Sequence, residues 1–279
     1  MGIDPLEYFE TLWQDSVPKD GMEHTKEVWN NMAKYWFDFS QHKKEGKRDI
    51  VCAVVDFLKQ KGALTEESKV IDIGCGPGEY ASEMAKTAKE VVCSDISDIM
   101  IGFCKDSVTA DNVSFICTDF FDIDIEKSGY KNGFDLVFTS LTPAVSGLDS
   151  VKRINEISCG YCFNQSFVYR QDNIKDGIDI HVRGVEPSTN VGNSSCYCMF
   201  NMLWNMGYHP EITYYTQFTN KEILVSADLA ESYARSIIKM GDVDVKFIDD
   251  IHKYLKSIAK DGAVTVKNEA KLAWTLWHI

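Results

Sequence analysis

KVIDIGCGPGEY, residues 69–80, decides how the rest of the chain is read. Val70, Ile71 and Ile73 make an apolar β-type run that carries an acid at Asp72, and Gly74, Gly76 and Gly78 follow at alternate positions. A strand that breaks into glycines and feeds a helix brings bare backbone against a ligand, because glycine has no Cβ to hold it off. The next residues, EYASEMAKTAKE, place Ala81, Met84, Ala85 and Ala88 at i, i+3, i+4 and i+7. That is the stripe of a helix with one buried face. The reading is therefore strand, glycine turn, helix.

The spacing then separates the ligands such a turn can take. A phosphate-binding loop needs GxxxxGK[ST], and no Lys-Ser or Lys-Thr pair follows these glycines. A dinucleotide turn is GxGxxG/A, but here the third glycine comes one residue early and Glu79 stands where a small residue belongs. A carboxylate there is also unfavourable beside a pyrophosphate. An acid two residues ahead of GxGxG suits a ligand whose near end is an amino acid, since Asp72 can orient an ammonium group. The hhDhGxGxG string resembles motif I of the class I S-adenosylmethionine-dependent methyltransferases. The resemblance implies a Rossmann-like, doubly wound α/β fold, with a seven-stranded, mostly parallel sheet and an antiparallel last strand. It also implies S-adenosyl-L-methionine as cofactor, held by Asp72, Gly74, Cys75, Gly76 and Gly78.

Outward from the turn, EVVCSDIS (residues 90–97) reads as a second strand ending in Asp95. An acid ~20 residues beyond a glycine turn is where ribose hydroxyls are bound. The resemblance assigns Asp95 that role and sets Ile96 and Met100 near the adenine and ribose. Ser97 reads as the cap of the following helix. NVSFICTDFF (112–121) reads as a third strand with Thr118, Asp119 and Phe120 at its end. The family uses an acid here to accept from the adenine amino group, and an ionised Asp119 only accepts. Phe120 offers an apolar face for the ring. FDLVFTSLTPAV (134–145) reads as a fourth strand whose end, Thr139, Ser140, Leu141 and Thr142, lines the space between methyl group and acceptor. An Asn-Pro-Pro-Tyr type of signature, used by enzymes that methylate DNA adenine, is absent from it.

Residues 48–60, RDIVCAVVDFLKQ, form an amphipathic helix with Gly62 as its stop. Residues 1–47 read as an N-terminal helical cap or lid, and 48–279 as the methyltransferase domain. In the cap, Trp29, Ala33 and Tyr35 loosely match a "W…A…Y" segment that folds over the cofactor in many small-molecule methyltransferases. An ordinary amphipathic helix fits them as well, and both readings stand. A short helix (148–158) and a fifth strand (160–169) follow, and then a polar, loop-like stretch within an acceptor-pocket insertion at 170–260. Arg170, Asp172, His181 and Arg183 are its candidates for shaping the pocket. The tail alternates Leu272, Trp274 and Leu276 with Ala273, Thr275 and Trp277, a strand buried on both faces.

Composition bounds the function. The 279 residues carry 29 Lys and Arg against 42 Asp and Glu, a formal net charge of −13. Such a surface repels a phosphate backbone, so nucleic acid is not the expected partner. No apolar run reaches the ~18–20 residues of a membrane span. MGIDPLEYFE lacks a secretion signal's basic start and apolar stretch, so a cytoplasmic protein is expected. The nine cysteines are scattered, and Cys52, Cys93, Cys104 and Cys117 read as small buried hydrophobes. Cys159 and Cys162 with Cys196 and Cys198 have a spacing compatible with zinc, but they fall on a strand and an apolar helix. No metal is expected. The expectation is methyl transfer to a small-molecule acceptor, with His24, His181 and Tyr35 the only candidate bases and no catalytic residue assigned. Oligomeric state is not readable. The alternatives are a non-catalytic S-adenosylmethionine-binding protein, an aminopropyl transferase of the same fold, and a thiol- or metalloid-methylating enzyme that uses the cysteines.

Overall fold

The computed structural model describes residues 4–16, 25–33, 44–187, 194–238 and 243–279. The chain forms two compact units. Unit 1 comprises Met1–Ser166, Ser194–Thr213 and Ala273–Ile279, and unit 2 comprises Phe167–Asn193 and Tyr214–Leu272.

Three helices come first: α1 (Pro5–Ser16), α2 (residues 26–33) and α3 (Lys44–Gln60). The apolar stripe expected in α3 is buried, with Ile50, Val51, Val54, Val55 and Leu58 each 8% exposed or less. Gly62 (φ +72°) ends this helix, while the Ala63 amide donates back to the Leu58 carbonyl (2.9 Å). The alternation begins with β1 (Lys69–Ile73), α4 (Glu79–Met84), β2 (Glu90–Asp95), α5 (Asp98–Ser107), β3 (Val113–Cys117) and β4 (Phe134–Ser140). Then come α6 (Leu148–Ile157), β5 (Ser158–Asp172), α7 (Asn173–Ile178), α8 (Ser195–Asn205), β6 (Glu211–Leu224), α9 (Ala227–Ile238), α10 (Val245–Ile258) and β7 (Ala263–His278).

The sheet has seven strands in the order β3-β2-β1-β4-β5-β7-β6. Pairing is parallel from β3 through β5, and the last strands are antiparallel. This is the architecture expected from the sequence. Ile71, Ile73, Val92 and Val137 point to one face, where Trp13, Ile154, Leu203 and Trp277 complete a core. Asp72 lies in register with Cys93 of β2 and Phe138 of β4, and so shares the opposite face with them. There Phe138 stacks on Phe163 (centroids 5.1 Å apart, planes at 9°), and Phe57 of α3 packs on Trp274 at 5.3 Å. Strands covered on both faces must be apolar nearly throughout, which explains why β1, β2 and β4 read as continuous runs.

Three local expectations need correction. The helix after the glycine turn ends at Met84 and the chain turns back into β2, the Lys89 amide donating to Ser68. The third strand is shorter than residues 112–121, because Asp119 caps a 3-10 turn at Phe120–Asp122. The stretch from 170 onward is not loop-like at first: β5 runs to Asp172, whose carboxylate accepts from the Ile174 and Lys175 amides and starts α7. A π-helical turn (Asp179–Arg183) follows. Ile174 and Ile178 are buried in the unit 2 core with Ala230, Ala234, Ile251, Leu255, Val264 and Val266.

Candidate functional site

The order of strands reverses between β1 and β4, where the chain has gone outward through β2 and β3 and then crosses back. In an open parallel sheet the crevice for a ligand lies there, beyond the carboxyl ends of the strands. Ile73 pairs with Thr139, so the glycine turn and the end of β4 emerge side by side. The Gly74 and Cys75 amides both donate to the Ser94 carbonyl (2.7 and 3.1 Å), which ties the turn to β2.

The three glycines have positive φ, but they meet different surroundings. A Cβ on Gly74 would sit 2.2 Å from Thr142 Oγ1, and one on Gly78 would sit 2.5 Å from Cys104 Sγ. Those two glycines let the β4 loop and α5 pack close. Gly76 (φ +53°) has nothing within 4 Å of where its Cβ would stand. Open space above a glycine in this turn is room for a ligand.

Two carboxylates come from the strands that meet at this turn, Asp72 from β1 and Asp95 from β2. Asp72 is 2% exposed, and its Oδ2 has no hydrogen-bond partner. Burial, reinforced by Cys104 and Asp95, holds its pKa well above the usual carboxylate range. Asp95 accepts from the Gly76 amide through Oδ2 (3.0 Å) and from the Ser97 amide through Oδ1 (2.9 Å). Burial raises its pKa, and those amides pull the other way. Ser97 caps α5 as expected, accepting from the Met100 amide (3.1 Å), and Met100 is buried. The Ser97 hydroxyl also donates to Asn30 Oδ1 (2.7 Å), and Lys26 pairs with Asp98 at 2.9 Å. Helix α2 is thereby docked on the loop that carries Asp95, Ile96 and Ser97. Trp29 and Ala33 lie on this helix; Tyr35 and His24 fall outside the described residues.

At the end of β3 the Thr118 amide donates to the Asp95 carbonyl (2.9 Å). Asp119 is half-buried and accepts from the Phe121 amide (2.8 Å). The Phe120 ring points into the core, with the Arg153 guanidinium 5.4 Å from its centroid. Beyond β4, Leu141 takes φ +50°, a left-handed conformation that a branched side chain rarely adopts. Its amide donates to the Gln165 carbonyl (2.9 Å).

Sequence reasoning missed the network around Ser140. The Gln165 side-chain amide donates to Ser140 Oγ and to the Tyr80 hydroxyl, each at 3.0 Å. Gln165 Oε1 in turn accepts from the Trp274 indole (2.8 Å). Burial raises the Tyr80 pKa, so its hydroxyl stays protonated. Thr139 Oγ1 sits 2.9 Å from Asn164 Oδ1 and from the Phe163 carbonyl. Tyr80 adjoins the glycine motif, which is the one hint the sequence carried.

Of the pocket candidates in unit 2, Asp172 caps α7, Arg183 pairs with buried Asp179 at 2.5 Å, Arg170 lies over Phe167 and His181 stacks on Tyr254. An open groove of about 590 Å³ runs between His181, Asp250, Lys253 and Tyr254, all within unit 2. Cys159 is exposed, Cys162, Cys196 and Cys198 are buried, and Cys196 Sγ faces Thr275 Oγ1 at 4.0 Å. Among the described residues, the metal-ligating atoms that cluster in a group of three belong instead to Cys75, Cys93 and Cys104.

The glycine turn, both carboxylates and the ends of β3 and β4 all lie in residues 64–171, which match the family model described as a methyltransferase domain. The chain carries a methyltransferase domain. Among curated proteins, this domain is similar to ribosomal RNA small subunit methyltransferase A of Bacillus pumilus, 30% identical over 113 residues, or 40% of this chain and 37% of that protein. It is also similar to malonyl-[acyl-carrier protein] O-methyltransferase of Priestia megaterium, 28% identical over 120 residues, 42% of this chain and 40% of that protein. The chain thus spans well under half the length of these relatives. Among solved structures, magnesium protoporphyrin IX methyltransferase of Synechocystis PCC 6803, with bound SAH, superposes with a TM-score of 0.50 at 13% identity. That alignment covers 89% of this chain and 96% of the other, and the likeness is one of fold. No described helix is long and apolar enough to cross a membrane.

Proposed function

We propose that the chain is a cytoplasmic enzyme that transfers the methyl group of S-adenosyl-L-methionine to a small-molecule nucleophile by in-line displacement, releasing S-adenosylhomocysteine. One observation carries the reading: Asp72, on the strand that feeds the glycine turn, leaves a buried Oδ2 without a partner. An ionised carboxylate without a partner is costly in a protein interior, and an ammonium group placed there supplies the missing donor.

The bound cofactor supplies an electrophilic methyl on a sulfonium. The residues supply position and dryness. Asp72 fixes the amino-acid end, and Gly76 lets the backbone approach closely. Asp95 uses two acceptor sites on the Gly76 and Ser97 amides, and a carboxylate's remaining lone pairs are left for ribose hydroxyls. Ile96 and Met100 border the ribose, and Asp119 with Thr118 frames the adenine end. Ser140, held by Gln165 and Tyr80, borders the methyl and the acceptor. Alignment and exclusion of water are enough for displacement at a sulfonium, so no side chain need act as base.

The small-molecule assignment rests on the charge of −13. The ribosomal RNA methyltransferase relatives favour a second reading, an RNA acceptor. Calorimetric titration with S-adenosylmethionine, S-adenosylhomocysteine and NADH tests the cofactor: the first two bind and NADH does not. Turnover of radiolabelled methyl on a small-molecule panel, against structured RNA, tests the acceptor. Labelling of RNA alone would overturn the small-molecule reading.

A further inference from the structure

We propose that Cys75, Cys93 and Cys104 form a binding site for a soft, thiolate-seeking metal ion directly beneath the glycine turn. The three residues come from three elements, the turn itself, the middle of β2 and the body of α5. Their Sγ atoms all lie within 4.8 Å of one another, and all three side chains are buried. In a tetrahedral set of thiolates at about 2.3 Å from zinc, the sulfurs stand ~3.8 Å apart. No pair in the cluster therefore stands more than about one ångström beyond ligating separation.

Two further features single this cluster out. Gly78 makes room for it: a Cβ there would lie 2.5 Å from Cys104 Sγ, so the glycine spacing that opens the turn above also admits the sulfur below. Asp72, in register with Cys93 on the same sheet face, leaves Oδ2 unpartnered in a site 2% exposed. Soft thiolate donors with no nitrogen ligand among them select d10 ions such as zinc and cuprous copper over magnesium or calcium. On binding, each thiol that is still protonated loses its S–H bond, three metal–sulfur bonds form and the released protons leave to solvent. For a divalent ion the S3 centre carries one negative charge, and a water completes a tetrahedral zinc shell.

The site stands on the thiol geometry and needs no cofactor, so it can be tested apart from the methyltransferase reading. The probe is zinc, added in one equivalent to the reduced full chain. X-ray absorption should give three sulfur neighbours at about 2.3 Å and one lighter ligand, and the melting temperature should rise with zinc. Both effects should vanish in Cys93→Ser and in Cys104→Ser, and persist when exposed Cys117 and Cys159 and half-buried Cys52 are replaced by serine together. Should one serine variant not fold, the other carries the comparison, and the sulfur count on the unmodified protein stands without either. A shell with fewer than three sulfurs, or an unchanged shell in the Cys93 or Cys104 variant, overturns the proposal.

Discussion

Replacing Asp72 by asparagine keeps the shape of the side chain and removes its charge, which sets stability and binding in opposition. In the ligand-free protein Asp72 is 2% exposed, Oδ2 has no partner, and Cys104 and Asp95 add negative potential. A buried acceptor left unsatisfied costs about 1–3 kcal/mol, more when charged. At neutral pH folding must either bury that charge or take up a proton, and asparagine requires neither, so the variant should be the more stable by about 1–3 kcal/mol. At ~2–4 °C per kcal/mol for a chain of this size class, the melting temperature should rise by several degrees. The same change removes a charge-assisted bond to the cofactor's ammonium, worth ~1.5–3 kcal/mol, so Kd should rise ~10- to 150-fold. The pH dependence gives an internal control. The folded pKa of Asp72 is raised, so in acid both folded and unfolded chains hold its proton and the variant has no advantage. As pH climbs past the ordinary aspartate value of ~3.9, the unfolded chain releases that proton first. Wild-type stability then falls relative to the variant until the folded pKa is passed. Scanning calorimetry across that window, with cofactor titration on both proteins, measures both effects. A variant that melts lower at neutral pH and binds the cofactor as tightly as wild type would refute the reasoning.

The glycines predict a contrast. Gly78→Ala forces φ +85° on a residue whose Cβ meets Cys104 and Val108, and should lose about 2–4 kcal/mol in denaturant melts. Gly76→Ala should lose only about 1–2 kcal/mol from its backbone while sharply weakening cofactor binding, since its Cβ enters the open space. Asp95→Ala removes the acceptor of two backbone amides and should cost about 2–4 kcal/mol besides cofactor affinity. Asp95→Asn retains one acceptor and should lie between, and equal melting of the two variants would count against the amide anchors. Gln165→Leu breaks bonds to Ser140, Tyr80 and Trp274, and at ~0.5–1.5 kcal/mol each should be visibly destabilised in urea. It should also raise KM for the acceptor.

Legibility followed the range of the forces involved. Strands β1, β2 and β4 could be read because burial on both faces demands apolar residues at each step, and α3 because burial on one side demands a 3.6-residue stripe. Ser97 as a cap and Gly62 as a stop are local chemistry, and both hold. The network of Tyr80, Ser140, Gln165 and Trp274 was not legible, because its members come from four elements that only the strand order brings together. Phe120 was readable as an aromatic at the end of β3 but not in its direction, which the 3-10 turn capped by Asp119 and the partner Arg153 decide. Helix α7 was hidden in a polar stretch, since only Asp172 as its cap and two isoleucines at i and i+4 mark it. Both glutamine and tryptophan were visible as residues; their bond was not.

The same limit accounts for the cysteines. Taken singly, Cys75, Cys93 and Cys104 are what a core uses for small volume, and nothing in their spacing resembles a ligand set. Parallel register sets Cys93 beside Asp72, the helix cap at Ser97 fixes the phase that turns Cys104 toward the sheet, and Gly78 leaves the space its sulfur fills. Each of these contacts also fixes part of the cofactor turn: Asp72 at its entrance, Ser97 on Asp95, Gly78 at the start of α4. Substitutions that improve packing among the sulfurs therefore act on the turn as well. A larger side chain at 104 would press on Gly78, and its effect on cofactor affinity should exceed that of an equal volume added to α5 away from the turn.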